Sequence, residues 1–140
     1  MKKILFIIIL VIIYNTIINA IDQDFQEGIN LYNEKKFQEA LNKFTQLEKV
    51  YNLNKKDNQS NIANCYIWIG ACYYNLSDFQ KALDYYKKSL SINKILNDQE
   101  SIIKIYNSMS QIYEQLNDYE NLIKCYESAS NIYFKLNVIL

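Results

Sequence analysis

Gly70–Ala71–Cys72–Tyr73–Tyr74, a short polar break at Leu76–Ser77–Asp78, and then Phe79–Gln80–Lys81–Ala82–Leu83 with Tyr86 form a phrase that recurs in this chain. An earlier copy reads Gly28–Ile29–Asn30–Leu31–Tyr32, then Phe37–Gln38–Glu39–Ala40–Leu41 and Phe44. A later one reads Ser110–Gln111–Ile112–Tyr113–Glu114, then Tyr119–Glu120–Asn121–Leu122–Ile123 and Tyr126. The copies start 42 and then 40 residues apart, with the same internal spacing. A fixed period of this size marks a stacked array in which each unit buries its apolar face against the next.

Within each copy the apolar residues recur at steps of three and four, the signature of amphipathic helices. Phe25, Ile29 and Tyr32 share one face, followed by Phe37, Leu41, Phe44 and Leu47. The middle copy gives Tyr66, Ile69 and Tyr73, then Phe79, Leu83, Tyr86 and Leu90. The last gives Tyr106, Met109 and Tyr113, then Tyr119, Ile123, Tyr126 and Ala129. The pattern predicts helices over 22–34, 37–52, 59–76, 79–96, 99–116 and 119–137. The fold class is therefore all-α: three helix-turn-helix repeats (about 22–52, 59–96 and 99–137) stacked as an α-solenoid. Asp57, Asp78, Asp98 and Asp118 are placed to cap the helices that follow them, because a short carboxylate accepts from the free amides of a first turn. The joint at Lys35–Lys36 lacks such a residue and should be the loosest of the three turns within pairs. Gly28 and Gly70, opposite Ala40 and Ala82, should let paired helices approach closely. Leu122 takes the alanine's place in the last pair, which should be slightly wider.

The first twenty residues differ in kind. Lys2 and Lys3 precede an unbroken apolar run from Ile4 to Ile13, and Asn19–Ala20 leads into a polar sequence. This is the plan of an export signal, with cleavage expected near Ala20. The rival is an uncleaved anchor; Lys2 and Lys3 favour an inside N-terminus, so both readings put residues 21–140 outside a membrane, secreted or periplasmic in the first case.

Composition limits the chemistry. The chain has no histidine, arginine or proline and only two glycines. Without histidine there is no Ser–His or Cys–His arrangement and no His-ligated metal. Beyond residue 20, 13 lysines face 15 acids, a balance that argues against nucleic acid as a partner. No acid pair or nucleophile has a catalytic setting, so neither an enzyme nor a cofactor is expected. Cys65 and Cys72 lie seven residues apart on one helix, about 10 Å between backbones at the helical rise, too far to pair. With Cys125 they read as small buried hydrophobes. Trp68, the only tryptophan, reads as seam packing between repeats in preference to a binding hot spot.

The motif residues Tyr66, Ile69, Gly70, Tyr73, Phe79, Ala82 and Tyr86, with their counterparts in the other copies, resemble the tetratricopeptide repeat over residues 22–137. That repeat is usually about 34 residues; the longer period here is similar to the long-helix variants of kinesin light chains and some bacterial regulators. The resemblance implies an open right-handed superhelix whose concave face, lined by the first helix of each pair, binds an extended peptide or a partner's helix. On this chain that face would carry Phe25, Ile29, Tyr32 and Asn33, then Asn64, Ile67, Ala71, Tyr74 and Asn75, then Lys104, Asn107, Gln111 and Glu114. Amide side chains there can both donate to and accept from a peptide backbone. The alternative is a structural subunit that self-associates through an apolar final helix, extended by Val138–Ile139–Leu140.

Overall fold

Six helices form in the computed structural model, which describes residues 2–138: α1 Lys2–Asn33, α2 Phe37–Asn52, α3 Gln59–Asn75, α4 Phe79–Leu96, α5 Gln99–Gln115 and α6 Tyr119–Val138. They run alternately up and down as three hairpins, each helix packed on its neighbours in sequence. Five agree with the periodic pattern to within a residue. The exception is α1, one continuous helix through residues 18–22, where a break before Asp22 was expected. Nothing there stops a helix: Asn19 and Ala20 are tolerated in a helix interior, and no glycine or proline intervenes.

Four of the five connections are the same turn. Lys35, Ser77, Asn97 and Asn117 all have positive φ, from 55° to 62°. In each, the following amide reaches back five residues, as from Lys36 to Leu31 at 2.9 Å and from Asp118 to Tyr113 at 2.8 Å. This left-handed cap satisfies carbonyls that the helix end leaves free. Glycine usually takes that position, but this chain's two glycines lie within helices. The joint at Lys35 lacks a side-chain cap, as the sequence indicates, yet its backbone follows the same path as the others. Asp78, Asp98 and Asp118 do cap, accepting from the amides of Lys81, Ser101 and Asn121 at 3.2, 3.0 and 3.2 Å. Asp57 does not. It accepts from Asn54 at 2.7 Å within the α2–α3 loop, and Asn58 takes the capping position without its side chain accepting from a first-turn backbone amide.

The core lies mainly at the seams between repeats. One cluster joins Ala40, Leu41, Phe44, Leu47 and Tyr51 of α2 to Ile62, Cys65, Ile69 and Cys72 of α3. Its counterpart joins Ala82, Leu83 and Tyr86 of α4 to Ile105, Met109, Ile112 and Tyr113 of α5, with Cys125 of α6. The glycines serve this packing differently from the expected backbone approach. A Cβ on Gly28 would lie 2.8 Å from the Phe44 ring, and one on Gly70 2.9 Å from the Tyr86 ring. Each glycine makes room for the ring that follows Ala40 or Ala82 by one turn. Ser89 and Asn93 form a buried polar pair that periodicity does not reveal. The Ser89 hydroxyl donates to the Ala63 carbonyl of α3 at 2.8 Å and accepts from Asn93 at 3.0 Å.

Candidate interaction surface

The thirteen residues assigned to the binding face occupy five repeat positions on α1, α3 and α5, but they differ in what they can offer a partner. Phe25, Ile29 and Tyr32 are half-buried against the first cluster. Phe25 meets Phe44 edge-on at 5.4 Å, and Tyr32 packs on both Phe37 and Trp68. Ile67 and Tyr74 lean on the second cluster. Asn64 and Ala71 are half-buried. The exposed members are Asn33, Asn75, Lys104, Asn107, Gln111 and Glu114. Asn75 donates to the Tyr32 hydroxyl at 2.8 Å, tying α3 to α1, and Lys104 pairs with Glu100 at 2.6 Å. The face therefore presents amides and charges, while most of its aromatic and apolar members are drawn inward. A period shows which residues share a helix face, but not that the neighbouring helix will cover part of it.

Trp68 lies at the seam the sequence assigned to it, stacked on Phe44 at 5.5 Å and edge-on to Tyr32 at 5.2 Å. The three cysteines are free and buried. Burial pushes the thiols of Cys65 and Cys72 up to about 12 and raises that of Cys125, so none is a ready nucleophile.

Burial also raises the phenols of Tyr86 and Tyr66, the latter to about 12 with Glu48 adding to the shift. These acids keep protons in the folded chain that the unfolded chain would release. Their contribution is whole below the unfolded values, about 8.5 for thiols and 10 for phenols, and is lost as pH rises through the folded ones. The urea midpoint is therefore expected to fall above about pH 8.5. A midpoint unchanged to pH 11 would show that these groups ionise as freely in the folded chain as in the unfolded one.

On the last pair, Tyr119, Ile123 and Tyr126 are 60%, 55% and 52% exposed, whereas Leu83 and Tyr86, at the positions of Ile123 and Tyr126, are 5% and 4%. In α2 and α4 this face is covered by the next repeat; among the described residues nothing covers it on α6. Leu122 is half-buried where Ala40 and Ala82 are fully buried.

Helix pairs in register, buried at the seams and with their first helices side by side, define an α-solenoid scaffold. The model for the tetratricopeptide repeat matches residues 61–135, more than half of the chain, and the chain belongs to that family. Among solved structures, BtubC (BKLC) from P. vanneervenii has a TM-score of 0.75 at 17% identity, covering 81% of this chain and 46% of its own. The TPR domain of Arabidopsis FLU has a TM-score of 0.73 at 17% identity, covering 84% of this chain and 95% of its own. The chain thus spans under half of the first and nearly all of the second, and at these identities the likeness is one of fold. A search of curated proteins finds none that matches.

Proposed function

We propose that this chain is a non-catalytic interaction module, placed outside a membrane by its N-terminal segment, that holds an extended peptide or partner helix across α1, α3 and α5. The observation that carries this reading is a set of exposed amides: Asn33, Asn75 and Gln115 at one repeat position on α1, α3 and α5, with Asn107 and Gln111 beside them on α5. Amides on successive helices can pair with peptide groups spaced about three residues apart on an extended chain, and the half-buried rings beneath them hold the surface rigid. Affinity capture with wild type and with an Asn75→Ala/Gln111→Ala variant tests it. The variant is expected to keep its helical circular dichroism and lose the captured protein; undiminished capture would remove these residues from the binding surface.

The uncovered face of α6 supports a second reading, self-association. Head-to-tail stacking is disfavoured, because Gln23, Glu27 and Asn30 of α1 stand where α3 has Cys65, Ile69 and Cys72 and α5 has Ile105, Met109 and Ile112. A polar outer face on α1 is a poor lid for Ile123 and Tyr126, which leaves symmetric pairing of α6 with α6. Of the apolar Val138–Ile139–Leu140 end, Ile139 and Leu140 lie outside the described residues. Sedimentation should give a dimer that Ile123→Lys/Tyr126→Lys converts to monomer; a wild type monomeric at all concentrations would exclude this reading.

A further inference from the structure

The end of the array beside the apolar half of α1 has its own character. α1 runs unbroken from the apolar segment into the first repeat, and residues 4–18 are exposed along their whole length. From Ile4 to Ile21 the helix spans about 27 Å, and its last apolar turn, Ile17–Ile21, lies beside the end of the array. The hydroxyl of Thr16, one of the few polar groups there, donates to the Ile12 carbonyl at 2.8 Å. Ile21 packs on the first core cluster. Ile17, Ile18 and Ile21 line a cleft of ≈ 330 Å³ shared with Val50, Tyr51 and Asn58. The α2–α3 loop therefore sits level with the point where the apolar stretch ends.

Outside α1, the most exposed large hydrophobic residues among those described are Leu53, Ile95 and Phe134, at 88%, 77% and 70%. Each repeat supplies one: Leu53 just beyond α2, Ile95 in the last turn of α4, and Phe134 about one turn before the end of α6. Leu53 and Ile95 are separated by the 42-residue period. Since second helices run antiparallel to α1, all three lie at the end of the array where the apolar half of α1 emerges. Exposed Lys49, Lys55, Lys56, Lys94 and Lys135 flank them. Of the carboxylates at this end, Asp57 and Asp98 accept from Asn54 and Ser101, Glu100 pairs with Lys104, and Asp22 is exposed beside the cleft. The turns of the opposite end mix charges: Glu34, Asp78, Glu114, Asp118 and Glu120 stand with Lys35, Lys36 and Lys81, and Lys36 and Lys81 pair with Glu34 and Asp78.

We infer that this end of the array rests on the surface of an anionic phospholipid bilayer entered by the apolar half of α1, with Leu53, Ile95 and Phe134 at the interface and the lysines among the phosphates. Apolar side chains interleaved with lysines are what such a surface binds. A continuous α1 fixes the array to the anchor without a flexible joint, so the whole end is presented at one level. The inference rests on the anchor being retained, which is the anchored form of the reading above.

The test uses the full chain in vesicles of phosphatidylglycerol and phosphatidylcholine, with a fluorophore on Leu53→Cys, Ile95→Cys, Leu116→Cys or Val11→Cys. The buried native cysteines leave the added thiol as the site of labelling, and unlabelled wild type serves as the check. Spin-labelled lipid is expected to remove most of the emission at positions 53 and 95 and to spare position 116, which aqueous iodide quenches instead. Val11→Cys should be quenched by spin labels deep in the chains. If position 11 is quenched while 53 and 95 respond only to iodide, the anchor stands and the surface contact is overturned. If position 11 is not quenched, or the product isolated from cells begins near Ile21, the anchored reading fails and takes this inference with it.

Discussion

Phe44→Ala is expected to cost about 3–5 kcal/mol, the range for truncating a buried aromatic. Phe44 is fully buried, meets Phe25 of α1 and Trp68 of α3, and fills the space above Gly28. That setting places the loss at the upper end. Gly28 has no side chain with which to close the cavity, and the ring connects three helices across the seam between the first two repeats. Because a repeat array is stabilised largely by contacts between neighbours, the loss should also be local. The first repeat should loosen before the others, broadening the urea transition followed by circular dichroism. Trp68 emission, reporting on the same seam, should shift to the red at lower urea than the loss of helix. A single sharp transition displaced by less than about 1 kcal/mol would mean that the seam repacks without the ring.

Gly70→Ala sets two effects of opposite sign against each other. Alanine favours a helix interior over glycine by about 1 kcal/mol. Against this, the new Cβ would lie 2.9 Å from two atoms of the Tyr86 ring, which is only 4% exposed and packed into the second cluster. Overpacking of this kind costs about 1–3 kcal/mol. The ring has α5 behind it and cannot retreat, so the steric term should win and the variant should unfold at lower urea. A more stable variant would show that the seam between α4 and α5 is softer than its burial indicates. The third repeat carries Ser110 at this position, and there the corresponding ring, Tyr126, is 52% exposed.

The helices were legible because each combines a three-and-four period with a stop signal, and at Asp78, Asp98 and Asp118 a cap completes the signal. The places where reading and structure part are those where a residue depends on something distant in sequence. Asp57 is a good capping residue by type, but the α2–α3 loop turns it toward Asn54. Phe25, Ile29 and Tyr32 have the spacing of a groove face, yet α2 and α3 draw them in. Tyr119, Ile123 and Tyr126 repeat a core pattern and stay exposed, since burial requires a neighbour as well as a pattern. The continuity of α1 was open to inspection: no residue between Ile18 and Asp22 opposes a helix, and a change in composition is not by itself a change of backbone.

The Ser89–Asn93 pair has a consequence for how the array is indexed. The equivalent positions in the other repeats are Leu47 and Tyr51, and Ala129 and Tyr133, so only the middle hairpin carries this lock. A ratchet of α4 along α3 by one helical turn would strand the buried Ser89 hydroxyl away from the Ala63 carbonyl, whereas greasy neighbours can slide and re-mesh. The central hairpin is thus a keyed joint, while the seams to the outer two rest mainly on apolar and aromatic packing. Any change in the curvature of the solenoid on gripping a partner should be taken up on either side of this fixed tooth.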